Sequence, residues 1–79
     1  GLVEQFRRLR GVEASGILRE DAPGVYKLSL RSTGTTDVRS VAVQFGGGGH
    51  RNAAGGTLRM EGEEAFDAVR MALCRMLRG

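Results

Sequence analysis

The chain has little of several residue types, and each scarcity excludes a class of structure. It contains one cysteine, one histidine, one proline and no tryptophan among 79 residues. A single cysteine excludes an internal disulfide, and one cysteine with one histidine excludes a zinc site built from those ligands. No apolar run approaches the length of about 20 residues that a membrane-spanning helix needs. We therefore expect a protein of a reducing, cytoplasmic setting with no membrane partner.

Lysine is also scarce, because eleven of the twelve basic residues are arginine. The formal net charge of +3 and the isoelectric point near 10.0 favour polyanionic partners. The arginines are spread along the chain, however, and such a spread also fits an ordinary solvated surface. A nucleic-acid face and a basic surface without a partner both stay open at this point.

Glycine is plentiful, and residues 46–49 are four consecutive glycines followed by His50, the single histidine. Each glycine costs about 0.5–1 kcal/mol relative to alanine, which matters in a domain stable by only about 5–15 kcal/mol. We therefore expect that this segment needs a backbone without side chains. For example, its amides could converge on an anion, with the imidazole as a further donor. The segment lacks the serines and the length of a flexible linker. It also fits neither a P-loop nor a dinucleotide fingerprint.

Hydrophobic periodicity predicts the elements of the first half. Leu2, Phe6 and Leu9 have near-helical spacing, which predicts a short leading helix. From Val12 the period changes to two, and it resumes after a Pro-Gly turn at residues 23–24. The alternation predicts an antiparallel hairpin with one apolar and one polar face.

The second half predicts helices around a third strand. Asp37 offers N-cap chemistry to a two-turn helix that runs into the glycines. Residues 51–54 suggest one further helical turn, residues 56–60 a third strand, and the segment from about Glu63 a long amphipathic helix with Cys74 half-buried. We therefore expect one α+β domain over residues 1–79, with a small antiparallel or mixed sheet of three to four strands packed by two or three helices.

Arg31 and His50 are the candidates for anion binding. Arg31 falls on the polar face of the second hairpin strand, so its guanidinium points away from the core and can meet phosphate oxygens through paired hydrogen bonds. His50 closes the glycine run. An ordinary surface arginine and a loop-ending histidine bonded to backbone are the plain alternatives.

Three segments together resemble a known family. They are Lys-Leu-Ser-Leu-Arg-Ser at residues 27–32, the helix at 37–45, and Gly-Gly-Gly-Gly-His-Arg-Asn-Ala-Ala-Gly at 46–55. In this order and spacing they resemble the DHH-associated C-terminal domain of DHH-family phosphoesterases, the group that includes RecJ-like nucleases and nano-RNases. The resemblance covers nearly all of the chain from about Val12.

The resemblance implies the substrate-binding half of a two-domain, metal-dependent phosphoesterase or exonuclease. An N-terminal catalytic domain with an Asp-His-His motif would hold Mn²⁺ ions, and the substrates would be short oligoribonucleotides or small phosphonucleotides such as 3′-phosphoadenosine 5′-phosphate. His50 would donate to the phosphoryl group as electrophilic assistance. The implied substrate-binding residues are Arg31, Ser32, Gly47, Gly48, Gly49 and His50.

None of the metal-binding signature occurs in residues 1–79, so we expect no metal ion in this chain and no hydrolysis by it alone. The chain begins with Gly1 rather than methionine, so we expect it to be a C-terminal part of a longer protein, for which a homodimer stays open. The second hypothesis is an RNA-binding module similar to the C-terminal domain of alanyl-tRNA synthetases, and the third is a purely structural domain. His50 favours the phosphoesterase.

Overall fold

The computed structural model describes residues 3–9 and 12–78, with side chains described for residues 14–76. It confirms the α+β class. A five-stranded antiparallel sheet has the order β1-β2-β3-β5-β4, and two helices complete the fold. The elements in chain order are β1 (Val3–Leu9), β2 (Val12–Ala22), β3 (Val25–Ser32), α1 (Arg39–Gln44), β4 (Gly48–His50), β5 (Ala53–Arg59) and α2 (Gly62–Arg78).

The predicted hairpin is confirmed as β2 and β3. Pro23 and Gly24 form its turn, and Gly24 has a φ of 74°, the left-handed conformation that glycine adopts without a steric cost. Leu18, Leu28 and Leu30 are buried on one face of the two strands, as their alternation predicts. The polar residues between them are exposed on the other face. We call these the helix-covered face and the open face of the sheet.

Two helix predictions are wrong. Val3–Leu9 is strand β1, paired with β2 from Val3 opposite Arg19 to Leu9 opposite Val12, whereas Leu2 lies outside the described residues. The long edge of β2 offers hydrogen-bond partners to the backbone of this segment, and this pairing decides in favour of the strand. Residues 51–52 form a turn and Ala53–Arg59 is strand β5, because both of its edges find partners in β3 and β4.

The helices cover one face of the sheet. α1 buries Val41 and Ala42, and the core that they join includes residues of β2, β3, β5 and α2. Asp37 lies one residue before the cap position of α1, yet its carboxylate accepts a hydrogen bond from the Arg39 amide at 3.0 Å, which is the predicted capping chemistry. α2 begins as predicted, with Glu63 and Glu64 in its first turn, and Cys74 is half-buried.

No helix within the described residues has the length and hydropathy required to cross a bilayer.

Candidate phosphate site on the open face of the sheet

The glycine run begins as the C-terminal cap of α1. The Gly46 amide donates to the Val43 carbonyl at 3.1 Å, and the Gly47 amide donates to the Ala42 carbonyl at 2.9 Å. These two bonds, with a φ of 76° at Gly46, form a Schellman motif. The expectation that successive amides of the run converge on an anion therefore fails for Gly46 and Gly47, since both amides are already bonded within the chain.

Gly47 and Gly49 are required by close packing against β5. A Cβ atom on Gly47 would overlap the Gly55 carbonyl oxygen and lie 2.8 Å from the Gly56 Cα. A Cβ atom on Gly49 would lie 2.7 Å from the Ala54 Cα. Gly48 differs from both, because a Cβ atom there would meet nothing within 4 Å. Packing within the described part of the chain thus gives no reason for glycine at residue 48.

Register brings Arg31 and His50 into one row across the sheet. Arg31 lies opposite Ala53, and Ala53 lies opposite His50 on its other side. Paired residues of an antiparallel sheet project from the same face, so both side chains stand on the open face, two strand spacings or about 10 Å apart. The position of Arg31 on a central strand, off the core, is as predicted.

Both side chains are exposed and available. Neither the Arg31 guanidinium nor the His50 imidazole has a hydrogen-bond or ion-pair partner among the side chains described for residues 14–76. Ala53 between them is small and half-buried. An anion seated over Ala53 could therefore receive donors from both sides without displacing a contact between the side chains described here.

The neighbouring row is almost free of side chains. It contains Ser29, Gly55 and Gly48, which lie opposite one another on β3, β5 and β4. We call these three residues and Ala53 the glycine floor. A ligand can approach the backbone of β5 and β4 there, while Arg31 and His50 rise along one edge of the floor. Gly48 is the floor glycine whose open side nothing in the described structure fills.

Ser32 does not join this site. It follows Arg31 on β3, so its side chain projects from the opposite face. Its hydroxyl lies 2.6 Å from the Thr36 carbonyl and 3.2 Å from the Arg51 carbonyl, and it accepts from Asn52 Nδ2 at 2.9 Å. The hydroxyl proton is thus committed inside the chain, which favours a positioning role, whereas the role of phosphate ligand stays a prediction.

The sequence predicted no role for Asn52, whose side chain connects the turn after β4 to the loop after β3. Its amide nitrogen also donates to the Gly34 carbonyl at 3.2 Å and to the Thr36 carbonyl at 3.4 Å. The Val38 amide donates to the Arg51 carbonyl at 2.9 Å. These bonds hold the turn at residues 51–52, directly after His50, against the loop that follows β3. The signal available in the sequence was an asparagine directly after His50-Arg51, where turn chemistry is common.

The described residues do not form a metal centre. They contain no group of three or more histidine, cysteine, aspartate or glutamate side chains placed to share an ion. The acidic residues at the start of α2 lie in the helix layer, whereas Arg31 and His50 stand on the open face. The metal ions that the resemblance implies are expected in an N-terminal domain, and that expectation stays a prediction.

Comparisons with known proteins identify the family of the chain. The bifunctional oligoribonuclease and PAP phosphatase NrnA of Thermus thermophilus is 38% identical over 65 residues, which are 81% of this chain and 20% of that protein. The chain thus spans about a fifth of the length of this curated relative. The profile of the DHHA1 domain matches residues 1–79. The chain belongs to the DHHA1 domain family.

Proposed function

We propose that this chain is the substrate-binding domain of a metal-dependent phosphoesterase that hydrolyses short oligoribonucleotides or small phosphonucleotides. It binds a substrate phosphate on the open face of the sheet, over Ala53, between Arg31 and His50. The observation that carries the proposal is the single row in which the register sets these two unpaired donors. The DHHA1 match and the name of the Thermus relative support the class of substrate.

The chemistry of the two side chains suits one phosphoryl group. A guanidinium meets phosphate oxygens through two parallel hydrogen bonds, which fixes the orientation of the group as well as its position. The imidazole of His50 can donate to a further non-bridging oxygen and so draw charge from the phosphorus as it is attacked. The glycine floor lets the ligand approach the strands closely. Arg31 therefore orients the phosphate and His50 assists the reaction electrophilically.

The division of labour assigns binding to this domain. Mn²⁺ ions would be held by an N-terminal catalytic domain, and they would supply the activation of water that a phosphoester needs. This chain contributes orientation of the substrate and exclusion of water on the side of the sheet. Hydrolysis by the purified chain, after metal removal and readdition, would contradict this assignment.

A binding titration with matched variants tests the proposal. A 5′-phosphorylated adenylate dinucleotide is titrated into the chain, and into Arg31→Gln, His50→Gln and a control, Arg75→Gln, which removes an exposed arginine of α2. Arg31→Gln should weaken binding about ten- to a hundredfold, as expected for loss of about 1.5–3 kcal/mol from hydrogen bonds to a charged group. His50→Gln should weaken binding less, and the control should match the parent.

Two results would overturn the proposal. If the parent and Arg31→Gln bound the dinucleotide with equal affinity, the phosphate would not lie between Arg31 and His50. Tight binding of a tRNA would instead favour the RNA-binding module if salt weakened that binding strongly while Arg31→Gln and His50→Gln left it unchanged.

A further inference from the structure

The open face carries a second basic cluster beyond the phosphate site. Arg19 of β2 lies directly opposite Lys27 of β3, and Lys27 lies opposite Thr57 of β5. Arg59, which lies opposite Val25, is the diagonal neighbour of Lys27 on the same face. All three basic side chains are exposed. We call Arg19, Lys27 and Arg59 the second cluster.

The pairing within this cluster is unfavourable for the free protein. Like charges directly opposite each other on neighbouring strands destabilise a sheet. The Lys27 ammonium donates to the Thr57 hydroxyl at 3.2 Å, which is a neutral partner. Among the described side chains none of the three cations makes an ion pair, and the pair that is present joins Arg70 to Asp67 in α2. Among these side chains, therefore, no carboxylate lies within ion-pair distance of the three cations, and Asp21 lies two residues after Arg19 on β2.

The cluster lies at a defined distance from the phosphate site. Lys27 and Arg31 are four residues apart on β3, which is about 14 Å along the strand. Neighbouring stacked nucleotides rise by about 3.4 Å, so this gap exceeds the reach of one phosphate group or of adjacent phosphates. Between the two clusters lie the glycine floor and Ile17, which stands opposite Ser29 and is 42% exposed. The described residues of this intervening surface are uncharged, and Ile17 is the large apolar side chain among them.

We infer that the second cluster is a second phosphate subsite, which binds a phosphodiester of an oligonucleotide strand whose other phosphate lies between Arg31 and His50. The inference rests on the proposed function. The strand crosses the glycine floor, with Ile17 against a ribose or a base. A gap of about 14 Å corresponds to about four stacked nucleotides and to fewer in an extended strand, so a dinucleotide fills only the first site.

Ligand length separates the two sites. A fluorescently labelled adenylate pentanucleotide and a 5′-phosphorylated dinucleotide are titrated into the chain and into the double variant Arg19→Gln/Lys27→Gln. The matched control is Arg39→Gln/Arg75→Gln, which removes the same charge from exposed positions of the two helices. Thermal unfolding of each variant shows that it is folded.

The double variant should bind the pentanucleotide about tenfold more weakly and the dinucleotide within twofold of the parent. The control should leave both ligands within twofold. Equal weakening of both ligands by the double variant would indicate general electrostatic attraction and would overturn the second subsite.

Arg31→Gln, measured alongside, distinguishes failure of this inference from failure of the proposed function. If Arg31→Gln weakens both ligands and the double variant weakens neither, the second subsite is wrong and the proposed function stands. If neither variant weakens either ligand, or no ligand binds, both are overturned.

Discussion

Single residues of the glycine run have separate causes. Gly46 provides the left-handed cap of α1, and Gly47 allows β5 to pack against the run. Packing does not require Gly48, whose open side belongs to the glycine floor. The run does need a backbone without side chains, as the sequence predicts, but most of its glycines are needed for the cap of α1 and for packing against β5.

Gly48→Ala and Gly47→Ala should therefore have opposite effects. Gly48→Ala should leave the free energy of unfolding unchanged or raise it by up to about 1 kcal/mol, because alanine restricts the unfolded chain. It should weaken the dinucleotide several-fold, because the methyl group occupies the floor. Gly47→Ala should lose about 2–3 kcal/mol of stability, because its Cβ atom meets the backbone of Gly55.

Urea unfolding gives both free energies, and titration of the dinucleotide gives the affinity. A Gly48→Ala variant that binds as the parent does would show that the ligand does not contact the floor at this residue. A Gly47→Ala variant as stable as the parent would show that β4 can shift away from β5.

The contribution of single residues was only partly predictable. Alternation along β3 placed Arg31 off the core correctly, because a strand has a fixed period of two. The placement of His50 in the same row as Arg31 could not be predicted, because it depends on the register of β5 between β3 and β4. The sequence pattern predicts a helical turn at residues 51–54, and a helical turn there would not place Ala53 between Arg31 and His50.

Among the elements, the two longest ones were predictable from their periodicity, and the six-residue helix α1 was predictable from its apolar spacing and the cap at Asp37. The hairpin and α2 are long and strongly periodic, and both are confirmed. The segments at Val3–Leu9 and residues 51–54 are short, and their periodicity is compatible with helix or strand. Both segments are strands because they pair with neighbouring strands, and the local sequence pattern carries no information about that pairing.

The loop after β3 and the turn before β5 are held together by Ser32 and Asn52. Asn52→Ala removes a donor that contacts three acceptors, and Ser32→Ala removes the hydroxyl that accepts from it. Each change should cost about 1 kcal/mol, a modest value because the bonds are partly solvated. Because they share one hydrogen bond, the double variant should lose less than the sum of the two.

Urea unfolding of the two single variants and the double variant measures this coupling. Ser29→Ala on the open face is the control, and it should change stability by less than about 0.5 kcal/mol. Strictly additive losses would mean that the hydrogen bond between Asn52 and Ser32 contributes nothing.

Opposed cations on β2 and β3 should lower the stability of the free protein. Arg19→Gln removes one of them while Lys27 keeps its bond to Thr57. Relief of a few tenths of a kcal/mol should raise the Tm by about 1–4 °C at low salt. Calorimetry of Arg19→Gln and of Arg39→Gln as control provides the comparison. A lower Tm for Arg19→Gln would show that the arginine stem stabilises the sheet more than its charge destabilises it.

Within the described side chains, the open face of the sheet is rich in cations, whereas the helix layer carries charges of both signs. The basic side chains of the phosphate site and of the second cluster stand on the open face, whereas four of the nine acidic residues, Glu61, Glu63, Glu64 and Asp67, lie at the start of α2 or just before it. The net charge of +3 does not show where these cations lie. Composition alone could not separate a nucleic-acid face from a solvated surface, because the layer that each arginine joins is a property of the fold.

The salt dependence of oligonucleotide binding should report how many phosphates bind to the open face. For a single strand, the logarithm of affinity falls against the logarithm of salt with a slope of about −0.7 per neutralised phosphate. Raising salt from 50 to 200 mM should then weaken a ligand held at one site about 2.6-fold and a ligand held at two sites about sevenfold. We expect the dinucleotide to follow the first value and the pentanucleotide the second. The Arg19→Gln/Lys27→Gln variant should return the pentanucleotide to the smaller value, because one contact is removed while the phosphate between Arg31 and His50 stays bound. An unchanged sevenfold loss in that variant would place the second contact elsewhere on the chain.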